Sequence, residues 1–360
     1  MDESSLIDQP TAVRSGEELD VERLAAYLRE HLPEASDQLV VTQFPGGMSN
    51  LTYSLRLGER ELVLRRPPFG ANIKGGHDMG REYRILRALI ERYPKVPRAL
   101  LYCEDERVLG APFYVMERVS GVVLRQRVPP SVERDPALMR RICLALIDTL
   151  AELHAIDYEA VGLADLGRPE GYTARQVAGW TKRYHNARTD DCPDLEALAG
   201  WLAAHTPAHS DATLIHNDFR YDNVVLDPHD LTRIIAVLDW EMATLGDPLT
   251  DLGTTLAYWS EPEDPAILRQ FGPTTVPGNL DRQQLLEQYA ARSGRAVDHI
   301  VFYYVYGVFK NLVIALQIYA RYRRGLTSDR RFAMLIDVIR VNAEMAQRAI
   351  DSGRISHLFS

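Results

Sequence analysis

Apolar residues recur at helical spacing between Glu17 and Leu32, at Val21, Leu24 and Leu28, and Pro33 stops that helix. The texture then changes. Gln38–Phe44 is rich in β-formers, and Pro45-Gly46-Gly47-Met48-Ser49-Asn50 reads as a turn. Leu51–Leu57 alternates apolar and polar positions, Gly58-Glu59-Arg60 turns, and Glu61–Arg66 forms another strand. Two tight connections between three strands predict an antiparallel meander. A Pro/Gly-rich loop from Pro67 to Gly76 leads to a helix over about Asp78 to Tyr93. Two further strands, Ala99–Cys103 and Phe113–Val119, flank a turn near Gly110.

After Gly121 the periodicity turns helical. Helices are predicted over Pro136–His154, Gln176–Arg188, Leu195–His205, Gln283–Ser293, Val301–Ala320 and Arg331–Ile350. The exception lies between Thr213 and Asp239, where short β-like runs enclose a polar loop. The chain therefore divides into a tail and helix (1–37), a β-rich lobe (38–119) and a mainly helical lobe (120–360). The run Val301–Ala320 is long enough to cross a bilayer. Lys310, Asn311 and Gln317 interrupt it and four tyrosines crowd it, which predicts a central helix of a helical domain and no membrane.

Composition adds exclusions. The hydrophobic fraction of 46% and charged fraction of 25% suit a packed globule rather than a disordered or fibrous chain. Forty-one Lys and Arg against 50 Asp and Glu give a net charge of −9, which argues against nucleic acid as a partner. The three cysteines, Cys103, Cys143 and Cys192, form no zinc pattern and fit a reducing compartment. The opening MDESSLIDQP has no signal or transit character, so a cytoplasmic location is expected.

The chemistry concentrates in Leu214-Ile215-His216-Asn217-Asp218-Phe219-Arg220-Tyr221-Asp222-Asn223-Val224-Val225-Leu226. Apolar residues enter and leave, so the polar ones sit on a loop between two short strands. Asp218 and Asn223 are five apart, and a third apolar strand, Ile234–Leu238, runs into Asp239-Trp240-Glu241. Three oxygen-bearing side chains are thereby expected at the ends of adjacent strands. Phosphoryl transfer needs such a set: one carboxylate for the attacking hydroxyl, and an amide oxygen with a second carboxylate for Mg²⁺. The protein-kinase pattern is H-R-D-x-x-x-x-N followed by D-F-G, and here it reads H-N-D-x-x-x-x-N followed by D-W-E.

With these motifs and the run Gly246-Asp247-Pro248-Leu249-Thr250-Asp251-Leu252-Gly253, the chain resembles the aminoglycoside phosphotransferase/choline kinase-like family over roughly residues 38–350. More narrowly it resembles the branch associated with acyl-CoA dehydrogenases. The resemblance implies an α+β, bilobal, protein-kinase-like fold, ATP with Mg²⁺, and transfer of the γ-phosphate to a small-molecule hydroxyl. Carried over residue by residue, it implies Asp218 as catalytic base and Asn223 and Asp239 as metal ligands. His216 matches a structural position, Asp247 suits a helix N-cap before Pro248, and Asp251 is expected to brace the catalytic loop.

On the nucleotide side, Gly46, Gly47, Ser49 and Asn50 would cover the phosphates from the first strand connection. Arg65 stands where the kinase strand ends in lysine, with Glu82 as its helix partner, while strand alternation sends Arg66 to the other face. Backbone groups near Glu117 and Val119 would hold adenine. Glu261, Glu263 and Asp264 form one tight acidic group, read as a solvated loop. The basic runs Arg140-Arg141, Arg321–Arg324 and Arg330-Arg331 are read as solvated helix faces. The expected function is an ATP- and Mg-dependent phosphotransferase on a small alcohol of hydroxyacyl type, with an association with acyl-CoA dehydrogenase. Aminoglycoside-like or choline-like acceptors, or a pseudokinase binding module, are the alternatives.

Overall fold

The computed structural model describes residues 9–32, 38–44, 50–70, 78–126, 128–208, 211–327 and 329–360. Two compact units emerge. The first comprises Met1–Val123 with Val225–Glu241, and the second Leu124–Val224 with Met242–Ser360.

In the first unit, α1 (Val21–His31) starts where the Asp20 carboxylate accepts the Arg23 N–H. Then come β1 (Leu39–Gln43), β2 (Leu51–Leu57), β3 (Arg60–Arg66), α2 (Met79–Leu89), β4 (Ala99–Cys103), the single turn α3 (Glu106–Leu109) and β5 (Phe113–Glu117). The strands form one sheet in the order β1-β2-β3-β5-β4, every pair antiparallel. Alternation gives its faces different work. Tyr53, Leu55, Leu62, Leu64, Phe113 and Val115 share a hydrophobic cluster with Leu24 and Leu28 of α1. Arg66 follows the same alternation as Leu62 and Leu64. It is buried, donates to the Pro67 and Leu109 carbonyls, and stacks 3.8 Å from the Phe69 ring centroid. Arg65 belongs to the opposite face and pairs in register with Tyr114.

The second unit contains α4 (Pro130–Glu133), α5 (Pro136–His154), α6 (Tyr172–Ala187), α7 (Glu196–Ala204) and β6 (Thr213–Ile215). β7 (Val224–Leu226) and β8 (Ile234–Val237) pair with each other, on the segment that rejoins the first unit. Next come β9 (Thr244–Gly246), α8 (Pro248–Ala257), the single turn α9 (Ala266–Arg269), α10 (Arg282–Ser293), α11 (Ile300–Arg323) and α12 (Leu335–Ser352). β6 pairs with β9, a strand the hydrophobic pattern misses because it is three residues long. The strands around the polar loop are therefore not neighbours in one sheet, as the sequence suggests, but members of two separate ribbons.

α11 is long and apolar enough to cross a membrane, yet 67% of its most apolar stretch is buried within the protein. It packs against α6, α8 and α12. The α8–α11 contact needs glycine on both sides. A Cβ on Gly253 would lie 2.2 Å from the Tyr303 carbonyl oxygen, and one on Gly307 2.3 Å from the Gly253 carbonyl oxygen. Backbone atoms cannot give way as a flexible side chain can.

Gly307→Ala should therefore cost about 1–3 kcal/mol, the usual penalty of overpacking. Gly200→Ala, in exposed helical space with nothing near its Cβ, should instead stabilise by up to about 1 kcal/mol. Denaturant unfolding of both variants checks this pair. Equal effects would mean that the close approach is not a constraint.

Candidate active site

The first unit assembles a charged node on the Arg65 face of its sheet. Arg65 Nη1 lies 2.5 Å from Glu82 Oε1, and Nη2 lies 2.9 Å from Asp239 Oδ1 and 3.6 Å from Glu241 Oε2. Glu82 comes from the first turn of α2, whose Asp78 cap accepts the Arg81 N–H. Asp239 and Glu241 come from the returning segment, and Trp240 anchors it. Its indole is almost wholly buried and donates to the Val237 carbonyl at 2.9 Å, and its backbone N–H donates to Glu82 at 3.2 Å. Asp239 adopts a positive φ of 66°, a backbone state a non-glycine residue holds only when its surroundings fix it. The Asn50 amide donates to Glu241.

Burial alone would lower the Arg65 pKa, but the surrounding charges, Glu82 first and Asp239 next, hold it well above its ordinary value. Burial pushes Glu82 upward, and Arg65 opposes that push. Three carboxylates around one guanidinium leave an excess of negative charge.

The second unit builds the polar loop after β6. Asp251, in the first turn of α8, is wholly buried. Its carboxylate accepts the His216 N–H at 2.6 Å and the Asn217 N–H at 2.8 Å, and lies 3.1 Å from His154 Nε2. Burial would raise its pKa, but bonding to His154 and the neighbouring histidine charges pull it below the ordinary carboxylate value. Asn217 has a φ of 67°, and Lys310 Nζ on α11 donates to its carbonyl at 2.5 Å. Thr255 donates to the Phe219 carbonyl at 2.9 Å. Between these clamps stands Asp218. Asn223 Nδ2 donates to both the Asp218 backbone carbonyl and its Oδ2, each at 2.7 Å. The amide is thereby turned so that its oxygen is the atom left to offer a cation. The Tyr258 hydroxyl lies beside Asp218, and burial together with that charge holds it well above its ordinary pKa.

The sequence pattern of the phosphotransferase enzyme family matches residues 40–280, a span that contains this loop, its Asp218–Asn223 pair and the following D-W-E. The chain belongs to the phosphotransferase enzyme family. Among solved structures, it is 32% identical to a Ralstonia eutropha JMP134 protein assigned to the aminoglycoside phosphotransferases, with a TM-score of 0.79 over 93% of this chain and 99% of that one. Choline kinase from Cryptosporidium parvum shares the fold at 14% identity and a TM-score of 0.62, over 95% of this chain and 100% of that one. Among curated proteins, acyl-CoA dehydrogenase family member 11 of Homo sapiens is 34% identical over 334 residues. Member 10 of Mus musculus is 33% identical over 343 residues. These alignments cover 90% and 94% of this chain but only 42% and 32% of the relatives. The family, the branch and the α+β kinase-like architecture thus agree with the sequence reading.

The predicted site residues fall as follows. Arg65, Glu82 and Asp239 meet in the first unit, and Asp218 and Asn223 meet in the second. Gly46, Gly47 and Ser49 lie outside the described residues. Asn50 is buried, with its amide on Glu241. Glu117 ends β5, its side chain exposed and its N–H donating to the Arg98 carbonyl, and Val119 is half-buried just beyond. Glu241 and Lys310 carry contacts to which the sequence reading gave no role. Asp247 accepts the Leu249 N–H as a cap, and also the Tyr303 hydroxyl at 2.7 Å.

The acidic group read as a solvated loop is corrected. Glu261 and Asp264 are buried and ion-paired to the buried Arg282, while Glu263 alone stays exposed. Alternation cannot reveal this, because Arg282 arrives from α10, far along the chain.

Two predictions follow from the two clusters. Arg65→Ala should destabilise by roughly 3–5 kcal/mol, because it leaves Glu82 buried without its counter-charge. Arg66→Ala should also destabilise, through lost carbonyl bonds and stacking, but should leave nucleotide affinity in the folded fraction within about threefold. Thermal melts beside nucleotide titrations separate them.

Asp251→Asn should cost about 1.5–3 kcal/mol near neutrality, the worth of hydrogen bonds to a charged group. The folded pKa of Asp251 lies below its unfolded value, so its contribution is present above about pH 4 and fades as pH falls through the folded pKa. The stability gap between wild type and variant should accordingly shrink in acid. A gap independent of pH would assign the effect to shape rather than charge.

Proposed function

We propose that this protein transfers the γ-phosphate of ATP to a hydroxyl group of a small molecule, with Mg²⁺ as the metal. The observation that carries this reading is the Asp218–Asn223 pair, held rigidly on a loop clamped by Asp251, Lys310 and Thr255. Asp218 would accept or orient the proton of the acceptor hydroxyl. The donor chemistry fits the metal: Asn223 offers an amide oxygen and Asp239 a carboxylate, both hard oxygen ligands, and the Arg65 node carries excess negative charge. When bound, the cation would neutralise charge on the transferred phosphoryl group. Arg65 would position Asp239 and Glu82 rather than take part in proton movement.

The acceptor we favour is a hydroxyacyl-type compound. Support comes from the likeness to acyl-CoA dehydrogenase family members 10 and 11 and from the removal of Glu261 and Asp264 as a site for a polycationic amine. A functional association with an acyl-CoA dehydrogenase activity, and a cytoplasmic location, belong to the same proposal.

The test separates the two aspartates. Asp218→Ala should keep Mg-ATP affinity within about threefold while turnover falls by roughly 10²–10⁴, the range of a positioned general base. Asp239→Asn should weaken Mg-ATP binding itself and remove turnover. Calorimetric nucleotide binding, beside transfer from labelled ATP to hydroxyacyl, choline and aminoglycoside acceptors, measures both. A wild type that binds no nucleotide would leave a binding module instead.

A further inference from the structure

A cavity of about 360 Å³ opens in the second unit beside the clamped loop. It is at the small end of the usual range for ligand sites, about 300–1,000 Å³. Its wall includes Asn217, the residue before Asp218, and the cationic side chains Arg168, Arg175, Arg183 and Lys310. No carboxylate side chain is present among its described lining residues. The three arginines are exposed and Lys310 is almost wholly buried, so the arginines form the rim and the lysine the floor.

The arginines are held in place. Arg183 stacks 4.6 Å from the Trp180 ring centroid, and Arg175 donates to the Glu170 and Arg168 carbonyls, bracing the turn that carries Arg168. Trp180 and Tyr306 line the same space. The Trp180 indole N–H and the Tyr306 hydroxyl are both buried there and face each other, the indole acting as donor to the Tyr306 oxygen.

We propose that this cavity is the acceptor site, and that it selects a hydroxylated compound carrying an anionic group, carboxylate or phosphate, over cationic amino-alcohols. The proposal rests on the phosphotransferase reading and narrows its substrate. The physical reason is charge. A buried ammonium pays desolvation, and burial pushes Lys310 down to about 8, with Asp218 and Asp251 opposing that shift. Three arginines at the rim repel one another as well. An anion relieves both costs and forms charge-assisted bonds to the guanidinium forks, whereas choline or a polyamine adds repulsion. The four cations come from positions scattered between Arg168 and Lys310, not from the basic runs of the sequence. Arg140, Arg141, Arg321, Arg323, Arg324, Arg330 and Arg331 are exposed elsewhere and take no part in the lining.

The experiment measures binding by calorimetry to the full chain and to the Arg168→Gln/Arg183→Gln double variant. Both substituted side chains are exposed, and an unchanged melting temperature verifies the fold. The probes are β-hydroxybutyrate, β-hydroxybutyryl coenzyme A, the uncharged β-hydroxybutyryl pantetheine, choline and kanamycin. Wild type should bind at least one anionic probe about tenfold or more tightly than the uncharged thioester. The double variant should lose about tenfold for that probe and stay within about twofold for the uncharged one. Binding of β-hydroxybutyrate identifies a carboxylate as the recognised group, and binding of the coenzyme A ester alone identifies phosphate. Equal binding of charged and uncharged probes, tighter binding of choline or kanamycin, or undiminished anion binding by the double variant would each overturn the proposal. Arginine-dependent anion binding without phosphate transfer would uphold the anion preference of the cavity and sink the phosphotransferase reading, and the acceptor role with it. Phosphorylation of choline or kanamycin with no anion binding would do the reverse.

Discussion

The wholly buried carboxylate of Asp251 is the constraint on which the loop that carries Asp218 depends. Taking an ionised carboxylate out of water is costly, and the structure offsets that cost with two backbone N–H groups and one imidazole. Those N–H groups belong to consecutive residues, His216 and Asn217. Satisfying the charge therefore fixes the backbone at the point where Asn217 takes its positive φ. Once that peptide is fixed, the direction in which Asp218 leaves the chain is fixed too. His154 is held from behind by the Tyr289 hydroxyl at 2.7 Å, so α5, α8 and α10 all bear on one loop. The glycines at the α8–α11 crossing serve the same end, because α8 carries Asp251 and Thr255 while α11 carries Lys310.

In the other unit, Arg65 is the residue that the sequence reading sets against the lysine of the kinase pattern, and the geometry gives a physical reason why arginine suits the place it holds. Its two terminal nitrogens engage different carboxylates, Nη1 with Glu82 and Nη2 with Asp239. An ammonium is a compact point charge and would have to share one centre between them. The planar fork spans the gap and fixes the angle between the two acids. Trp240 completes the arrangement by donating its backbone N–H to Glu82. The node is a scaffold for Asp239, and its excess of carboxylates keeps a demand for cationic charge.

Much of this was legible in the sequence because it is local. Leu51–Leu57, Ala99–Cys103 and Pro136–His154 read directly as the elements they form, since alternation or helical spacing runs through each without interruption. The Asp218–Asn223 spacing and the Asp247-Pro248 cap are local too. What was not legible depends on partners distant in the chain. β9 is too short to show a period, and its pairing with β6 is decided by tertiary contact. Glu261 and Asp264 look solvated until Arg282 is seen to bury with them. Lys310 looks like an interruption in an apolar run until the Asn217 carbonyl is seen to accept its hydrogen bond.

The loop and the cavity proposed for the acceptor are coupled through that last contact. Lys310 holds the carbonyl of Asn217, and the next residue is Asp218, so a ligand drawing on Lys310 would act one peptide away from the carboxylate proposed to meet the acceptor hydroxyl. The ammonium has three protons to give, and the Asn217 carbonyl takes one of them. Its burial on a core helix means that it cannot swing out to meet solvent. A ligand anion at the cavity floor would therefore bind a charge whose position is already set by the packing of α11. Recognition of the acceptor and alignment of its hydroxyl with Asp218 would then be one event, with little side-chain entropy left to lose on binding.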